Sequence, residues 1–343
     1  MVVKTFPDRV IYINGMPFLY FGGTAYLGLP TNKEFQKKIF EGIIKWGTFY
    51  GSSRNSNIKL SIYDEAESFF AKQFNTERTL VVSSGTLAGR LVIELFEHKT
   101  NKFYHYPKTH PAIISKRSEP LFVNDDLHKD LVNSKEEHIV ICCDAVLSGE
   151  VKQTQFDFLA NININKNITL VIDESHSLGI YDKTISTILD SCIKKNPLKV
   201  VTIASLGKSM GISGGIIASD KDVIEAIKED SLFVSSSCPN ASHLYAFLHS
   251  QDLINRQKKK LFRNLEFLES KLEKNTCLKF QVPYPVIYSE DNALSDYLIE
   301  KGIVISNFKY PNYDGLMNRI VITANHNKND ITALVGLLDQ HKK

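Results

Sequence analysis

Two stretches of the 343-residue chain place reactive side chains directly behind short apolar runs. One reads Leu170-Val171-Ile172-Asp173-Glu174-Ser175-His176-Ser177-Leu178-Gly179. The other reads Ile203-Ala204-Ser205-Leu206-Gly207-Lys208-Ser209-Met210-Gly211-Ile212-Ser213-Gly214-Gly215. In an open α/β sheet, ligands gather beyond the carboxyl ends of the strands, where these polar groups would stand. Lys208, in a Gly-flanked loop, can lose solvent there, and the lowered pKa of its amine lets it attack a carbonyl. Asp173, at a second strand end, offers a carboxylate to a pyridine nitrogen. Together they suit pyridoxal phosphate (PLP), which needs a Schiff-base lysine and an acid that keeps its ring protonated and electron-accepting. His176, three residues beyond Asp173, could hydrogen-bond the cofactor's phenolate oxygen. A phosphate cradle is also present. Ser83-Ser84-Gly85-Thr86 follows Leu80-Val81-Val82 and opens a helix from Leu87 to Phe96, so the amides of Gly85 and Thr86 and the helix dipole can hold an anion. Alone, each feature has an ordinary reading: a solvated loop lysine, a capping aspartate, a core histidine, an N-cap at Ser84.

Other chemistries fit the same strings poorly. Gly207-Lys208-Ser209 imitates the end of a P-loop, but the required first glycine is replaced by Thr202. Gly211-Ile212-Ser213-Gly214-Gly215 matches G-x-S-x-G, yet Ser213 precedes an apolar strand-like run, whereas a nucleophile elbow runs from strand to helix. No G-x-G-x-x-G opens a helix after an early strand, so a dinucleotide fold is disfavoured.

The elements that must position these groups alternate. Strand-like runs are Leu80-Val81-Val82, Phe103-Tyr104, Leu121-Phe122-Val123, Ile139-Val140-Ile141-Cys142, Leu170-Val171-Ile172, Val200-Val201-Thr202-Ile203 and Ile216-Ile217-Ala218. They are short and almost continuously apolar, which predicts strands covered on both faces in a mostly parallel sheet between helices. Before them, Val10 to Phe21 reads as a hairpin. A helix follows over about 32–46, and Ser61-Ile62-Tyr63-Asp64 has the S-x-x-D form of a capping box. After about residue 240 the texture changes to a long amphipathic helix (about 240–273), short strands near 278–288, 303–308 and 319–323, a helix between the first two, and a last helix near 328–340. The expected architecture is α/β, with an N-terminal entry arm (1–30), a large cofactor-binding domain (31–239) and a smaller α+β C-terminal domain (240–343).

Composition narrows the function classes. With 41 Lys+Arg against 38 Asp+Glu, the net charge of +3 gives no electrostatic footprint for nucleic acid. No apolar run reaches the ~20 residues of a membrane span, and no apolar leader stands at the start, so a cytoplasmic protein is expected. Cys142, Cys143, Cys192, Cys238 and Cys277 are odd in number and include no C-x-x-C, which argues against a disulfide framework or a zinc site. No metal is expected.

Over nearly its full length the chain resembles the α-oxoamine synthase branch of fold-type-I PLP enzymes, the group of 8-amino-7-oxononanoate synthase, 2-amino-3-ketobutyrate CoA ligase, serine palmitoyltransferase and 5-aminolevulinate synthase. Asp173-Glu174-Ser175-His176-Ser177-Leu178-Gly179 is similar to the family's D-E-A-H-S-x-G, with Ser175 for Ala. Ser205-Leu206-Gly207-Lys208-Ser209-Met210-Gly211 is similar to its T-[LF]-G-K-[AG]-[LF]-G. Arg9 to Gly15 with Tyr26-Leu27-Gly28-Leu29 resembles the entry segment.

That resemblance implies roles. Lys208 would carry the cofactor and later move the Cα proton. Asp173 would pair with the ring nitrogen, and His176 with the phenolate oxygen. His110, in Thr109-His110-Pro111-Ala112, would stack on the ring. Ser84, Gly85, Thr86, Ser148 and Ser205 would line the cofactor. Ser236 would reach the phosphate of a neighbouring subunit in a homodimer. Arg319 would take the amino-acid carboxylate, a task suited to a planar guanidinium.

The implied reaction is condensation of an amino acid with an acyl thioester, with decarboxylation. Alternatives are a PLP-dependent aminotransferase of the same fold and a non-catalytic partner subunit. The chain departs from the family at the substrate side: Ala25 replaces an Asn, and Ile58, Leu60 and Tyr63 replace a Gly and two His.

Overall fold

The computed structural model describes residues 1–99, 102–185, 189, 198–273, 277–309 and 315–341. The chain opens with an antiparallel hairpin, β1 (Val10–Ile13) and β2 (Met16–Phe21). Helix α1 (Lys33–Trp46) begins where Asn32 Oδ1 accepts the amides of Glu34 and Phe35, and ends at Gly47, whose φ of +76° suits glycine. Helix α2 (Ser61–Phe74) lacks the expected capping box. Leu60 holds the extended backbone a cap requires, so Ser61 is already helical and its hydroxyl donates to Glu65 instead.

The large sheet follows: β3 (Arg78–Val82), β4 (Lys102–His105), β5 (Glu119–Pro120), and later β8 (Glu137–Asp144), β9 (Lys166–Asp173), β10 (Leu198–Ser205) and β11 (Gly215–Ser219). Helix α3 (Gly85–Glu97) crosses between β3 and β4. Between β5 and β8 lies a separate ribbon of β6 (Phe122–Val123) and β7 (Asp126–Leu127). The run at 121–123 is therefore not a strand of the main sheet. Asn124 and Asp125, at φ +51° and +66°, turn it back on itself.

Spatial order in the large sheet is β3-β11-β10-β9-β8-β4-β5. Neighbours from β10 to β5 are parallel, and only β11 runs against its neighbours. One apolar core packs α3 and the helix Lys221–Glu229 on one face, and another covers the opposite face around Ile141, Leu170 and Ile172.

A second sheet is ordered β1-β2-β14-β15-β13-β12, with β12 (Leu278–Lys279), β13 (Val286–Ser289), β14 (Ile303–Lys309) and β15 (Leu316–Val321). β2 thus joins the C-terminal strands, parallel to β14. The helix expected over 240–273 is two, Ala241–Leu248 and Gln251–Lys271. The Phe247 carbonyl there accepts the Ser250 amide and Gln251 Nε2, and His249 stacks on Tyr245 at 4.0 Å, which satisfies the break. A last helix spans Lys328–His341.

Among the described residues no helix is long and apolar enough to cross a membrane, and no His/Cys/Asp/Glu group could hold a metal ion. Cys142, Cys143 and Cys238 are buried free thiols, and Cys192 lies outside the described residues.

His326 ties the arm to the C-terminal segment. Its Nδ1 accepts the Thr323 amide at 2.9 Å, its Nε2 lies 3.1 Å from the Tyr20 carbonyl, and its ring stacks on Phe21 at 4.2 Å. Burial pulls its pKa from the ordinary 6.5 down to about 4. A depressed pKa stabilises the fold fully above the unfolded value and loses that contribution as pH falls through the folded one. Unfolding free energy should therefore drop by up to ~3 kcal/mol between those limits from this residue. Urea titrations across the window check this, because His326→Phe should flatten that part of the slope.

Candidate active site

Register sets the floor of the site. Asp144 at the end of β8 lies opposite Asp173 at the end of β9, and Asp173 lies opposite Ile203, two residues before β10 ends at Ser205. Asp173 is buried, and its Oδ1 accepts the Ser175 amide at 2.8 Å. Ser175 Oγ in turn accepts the Ser205 amide at 2.8 Å. The Ser175 hydroxyl is thus a strut between two strand ends.

Lys208 sits half-buried in the loop after β10. Its carbonyl accepts the Gly211 amide, and Gly211, at φ +64°, packs so tightly on Pro30 that a Cβ would come within 2.9 Å of it. Desolvation lowers the Lys208 pKa, while the Asp173 and Asp144 carboxyls oppose that shift. The amine and the two acids therefore share one electrostatic neighbourhood.

Asp144 was not read from the sequence. It is 3% exposed, and burial beside Asp173 pushes its carboxyl well above the usual range. Its Oδ1 accepts the His110 amide at 3.1 Å. The signal that could have found it is positional: it ends Ile139-Val140-Ile141-Cys142-Cys143 as Asp173 ends its own run.

Burial lowers the His110 pKa, and its Nδ1 accepts the Ala112 amide. Gly89 of α3 lets that turn approach, since a Cβ there would meet the Ala112 carbonyl at 2.7 Å. His176 lies 2.9 Å through Nδ1 from the Tyr26 hydroxyl and 3.3 Å from that of Tyr284. Burial and the neighbouring Lys208 charge drive its pKa well down, so its imidazole is neutral. Sequence reading missed both tyrosines, because they come from the arm and from the segment before β13.

Arg319 enters from β15. Its Nη2 donates to the Gly23 carbonyl at 3.0 Å, and its Nε is buried with no hydrogen-bond partner. The surrounding ring of Tyr20, Tyr26, Tyr284 and Tyr288 raises its pKa against desolvation. A buried guanidinium N–H without an acceptor favours an incoming carboxylate.

The cradle is equally tight. Ser84 caps α3, its Oγ accepting the Leu87 amide. Gly85 faces Ser205, whose Cβ a side chain would meet at 2.8 Å and whose Cα it would meet at 3.0 Å. Gly85→Ala should thus displace the cradle, lowering stability by about 1–3 kcal/mol and weakening phosphate-bearing ligands. Thermal melts with and without PLP check both parts. Thr86 stands exposed in the first turn of α3.

Two expected residues are less engaged with this cluster. Ser148 lies half-buried in the turn after β8, beside Gly149 at φ +79°. Ser236 ends a short helix and its hydroxyl donates to the Leu232 carbonyl.

The donor set fits PLP. It offers an amine with a lowered pKa, a fixed buried acid, helix-terminal amides at a glycine that tolerates no Cβ, and an orphaned buried guanidinium N–H.

A family model described as aminotransferase class I and II matches residues 50–338. An 8-amino-7-oxononanoate synthase of Petrotoga mobilis is 28% identical, covering 94% of this chain and 87% of that protein. Among solved structures, serine palmitoyltransferase from S. paucimobilis with PLP and myriocin bound superposes with a TM-score of 0.80 at 16% identity, covering 99% of this chain and 91% of that one. An 8-amino-7-oxononanoate synthase of Francisella tularensis gives 0.71 at 22% identity, covering 95% and 98%. At those identities the structural matches speak for the fold, which is that of fold-type-I PLP enzymes.

Proposed function

From the premise that this chain belongs to the aminotransferase class I and II family, in its α-oxoamine synthase branch, we propose that it is a PLP-dependent C-acyltransferase. It joins an amino acid to an acyl thioester, as an 8-amino-7-oxononanoate synthase-like enzyme would. The carbon–carbon bond forms between the amino-acid Cα and the acyl carbon, while the thiol and CO₂ leave. The observation that carries this reading is the meeting of Lys208, the Asp173–Asp144 pair and the unsatisfied Nε of Arg319 in one electrostatic neighbourhood.

Bound here, PLP would supply an electron sink for negative charge developing at the substrate Cα. Lys208 would hold the cofactor, and desolvation, by favouring its uncharged amine, suits it to take and return the Cα proton. Asp173 would face the ring nitrogen, with its angle fixed by the Ser175 amide. His176 keeps Nδ1 on Tyr26 and so would offer only its other nitrogen. Ser84, Gly85, Thr86, Ser148 and Ser205 would line the cofactor, with His110 over its ring. Arg319 would bind the amino-acid carboxylate bidentately and hold the substrate for reaction.

The working unit we infer is a homodimer, with Ser236 turned to the neighbouring phosphate. Phe40, Ile44 and Phe49, exposed on and just after α1, support a covered face there. The units within a subunit are the arm (1–30), the cofactor domain (31–239) and the C-terminal domain (240–343). A cytoplasmic site of action goes with this reading.

The test is a spectral titration of the PLP-loaded protein with glycine, alanine and serine, followed by a panel of acyl-CoA donors. CoA release that needs both substrates is expected. Conversion to the pyridoxamine form by amino acid alone would instead mark an aminotransferase, and a folded protein that takes up no PLP would mark a non-catalytic subunit.

A further inference from the structure

We propose that the acyl group taken by this enzyme is a hydrocarbon chain without a terminal charge, seated in the cavity between the N-terminal segment and the lysine loop. This rests on the acyltransferase reading above. The cavity measures about 360 Å³, within the range of small-molecule sites. Gly207 and Gly211, which flank Lys208 in the chain, form one wall. Gly23, whose carbonyl receives Arg319 Nη2, forms another. The space thus reaches the chain neighbours of Lys208 and the backbone that receives Arg319, while neither side chain lines it.

Phe6, Pro30 and Ile212 give it apolar surface, and Thr24, Ser213 and Thr323 add hydroxyls. Among the described residues no lysine, arginine or histidine lines it. The one charged lining group is Asp8, whose carboxylate is held by Thr31 Oγ1 at 2.5 Å and by Asn325 Nδ2 at 2.9 and 3.1 Å. Arg9, within the field of Asp8, spends its hydrogen bonds on Asp330, through Nε at 2.6 Å and Nη2 at 2.8 Å. A carboxylate at the far end of an acyl chain would meet no cation on this lining and would face the carboxylate of Asp8. A methyl end would gain from every methylene it buried.

The experiment compares octanoyl-CoA with suberyl-CoA, which have equal carbon counts but differ at the distal end. Both are given to the PLP-loaded enzyme with glycine, alanine or serine. CoA release and calorimetric binding are read separately. The neutral donor should show kcat/KM at least about tenfold higher and should bind correspondingly more tightly. Phe6→Arg places a cation at the cavity's rim and should narrow both ratios by about tenfold through gain of the suberyl donor. Equal or better binding of suberyl-CoA by the unaltered enzyme would overturn the proposal, as would ratios that Phe6→Arg leaves unmoved. If neither donor releases CoA while octanoyl-CoA still binds more tightly, the acyltransferase reading fails and the selectivity of the cavity stands.

Discussion

Lys208→Ala should leave a folded protein that has lost the visible absorbance of bound cofactor and at least about 10³-fold of its turnover. No other amine in the cluster can replace it, since the remaining bases there are the neutral imidazoles of His110 and His176. Burial favours the uncharged amine, so cofactor loading of the native chain should persist to lower pH than an ordinary lysine would allow. The sign follows from desolvation outweighing the two carboxyls, whose fields favour the ammonium form. Spectra, circular dichroism and CoA release on one preparation separate lost chemistry from lost fold. An unaltered spectrum in the variant would end the case for this lysine.

Asp173→Asn is the second large effect. The amide oxygen can still accept from Ser175, so the loop geometry survives and only the charge is removed. Turnover should fall by about 10²–10⁴-fold while Lys208 still takes up cofactor, because the loss falls on charge stabilisation during reaction. The neighbouring acid reports on this independently. Asp144 owes part of its raised pKa to repulsion from Asp173, so its carboxyl should titrate lower in the variant. Infrared titration of the carboxyl groups follows this without any activity. Full turnover in the variant would mean that the buried acid facing the ring is another group.

Much of the cofactor side was legible because it is local. A polar residue directly behind an apolar β-branched run declares a strand end, and Asp173, Lys208 and Ser84 each do so within a few residues. Register then brings the strand ends side by side, which no single string states. That is why Asp144 escaped notice despite standing in the same position on its own strand. The parts that Tyr26 and Tyr284 play were invisible for a stronger reason. Their meeting at His176 depends on segments more than 100 residues away in each direction. Local chemistry also misled at Ser61 and at the continuous helix expected after 240. In both cases backbone geometry settled which residue caps and where the turn breaks, and side-chain preference only biased it.

The pairing of β2 along β14 gives the first two dozen residues a protective duty. Without that hairpin, the strand next to the one that bears Arg319 would present a bare row of amides and carbonyls to solvent. Such an open flank recruits other chains, so an N-terminally trimmed protein should precipitate before any loss of chemistry could be measured.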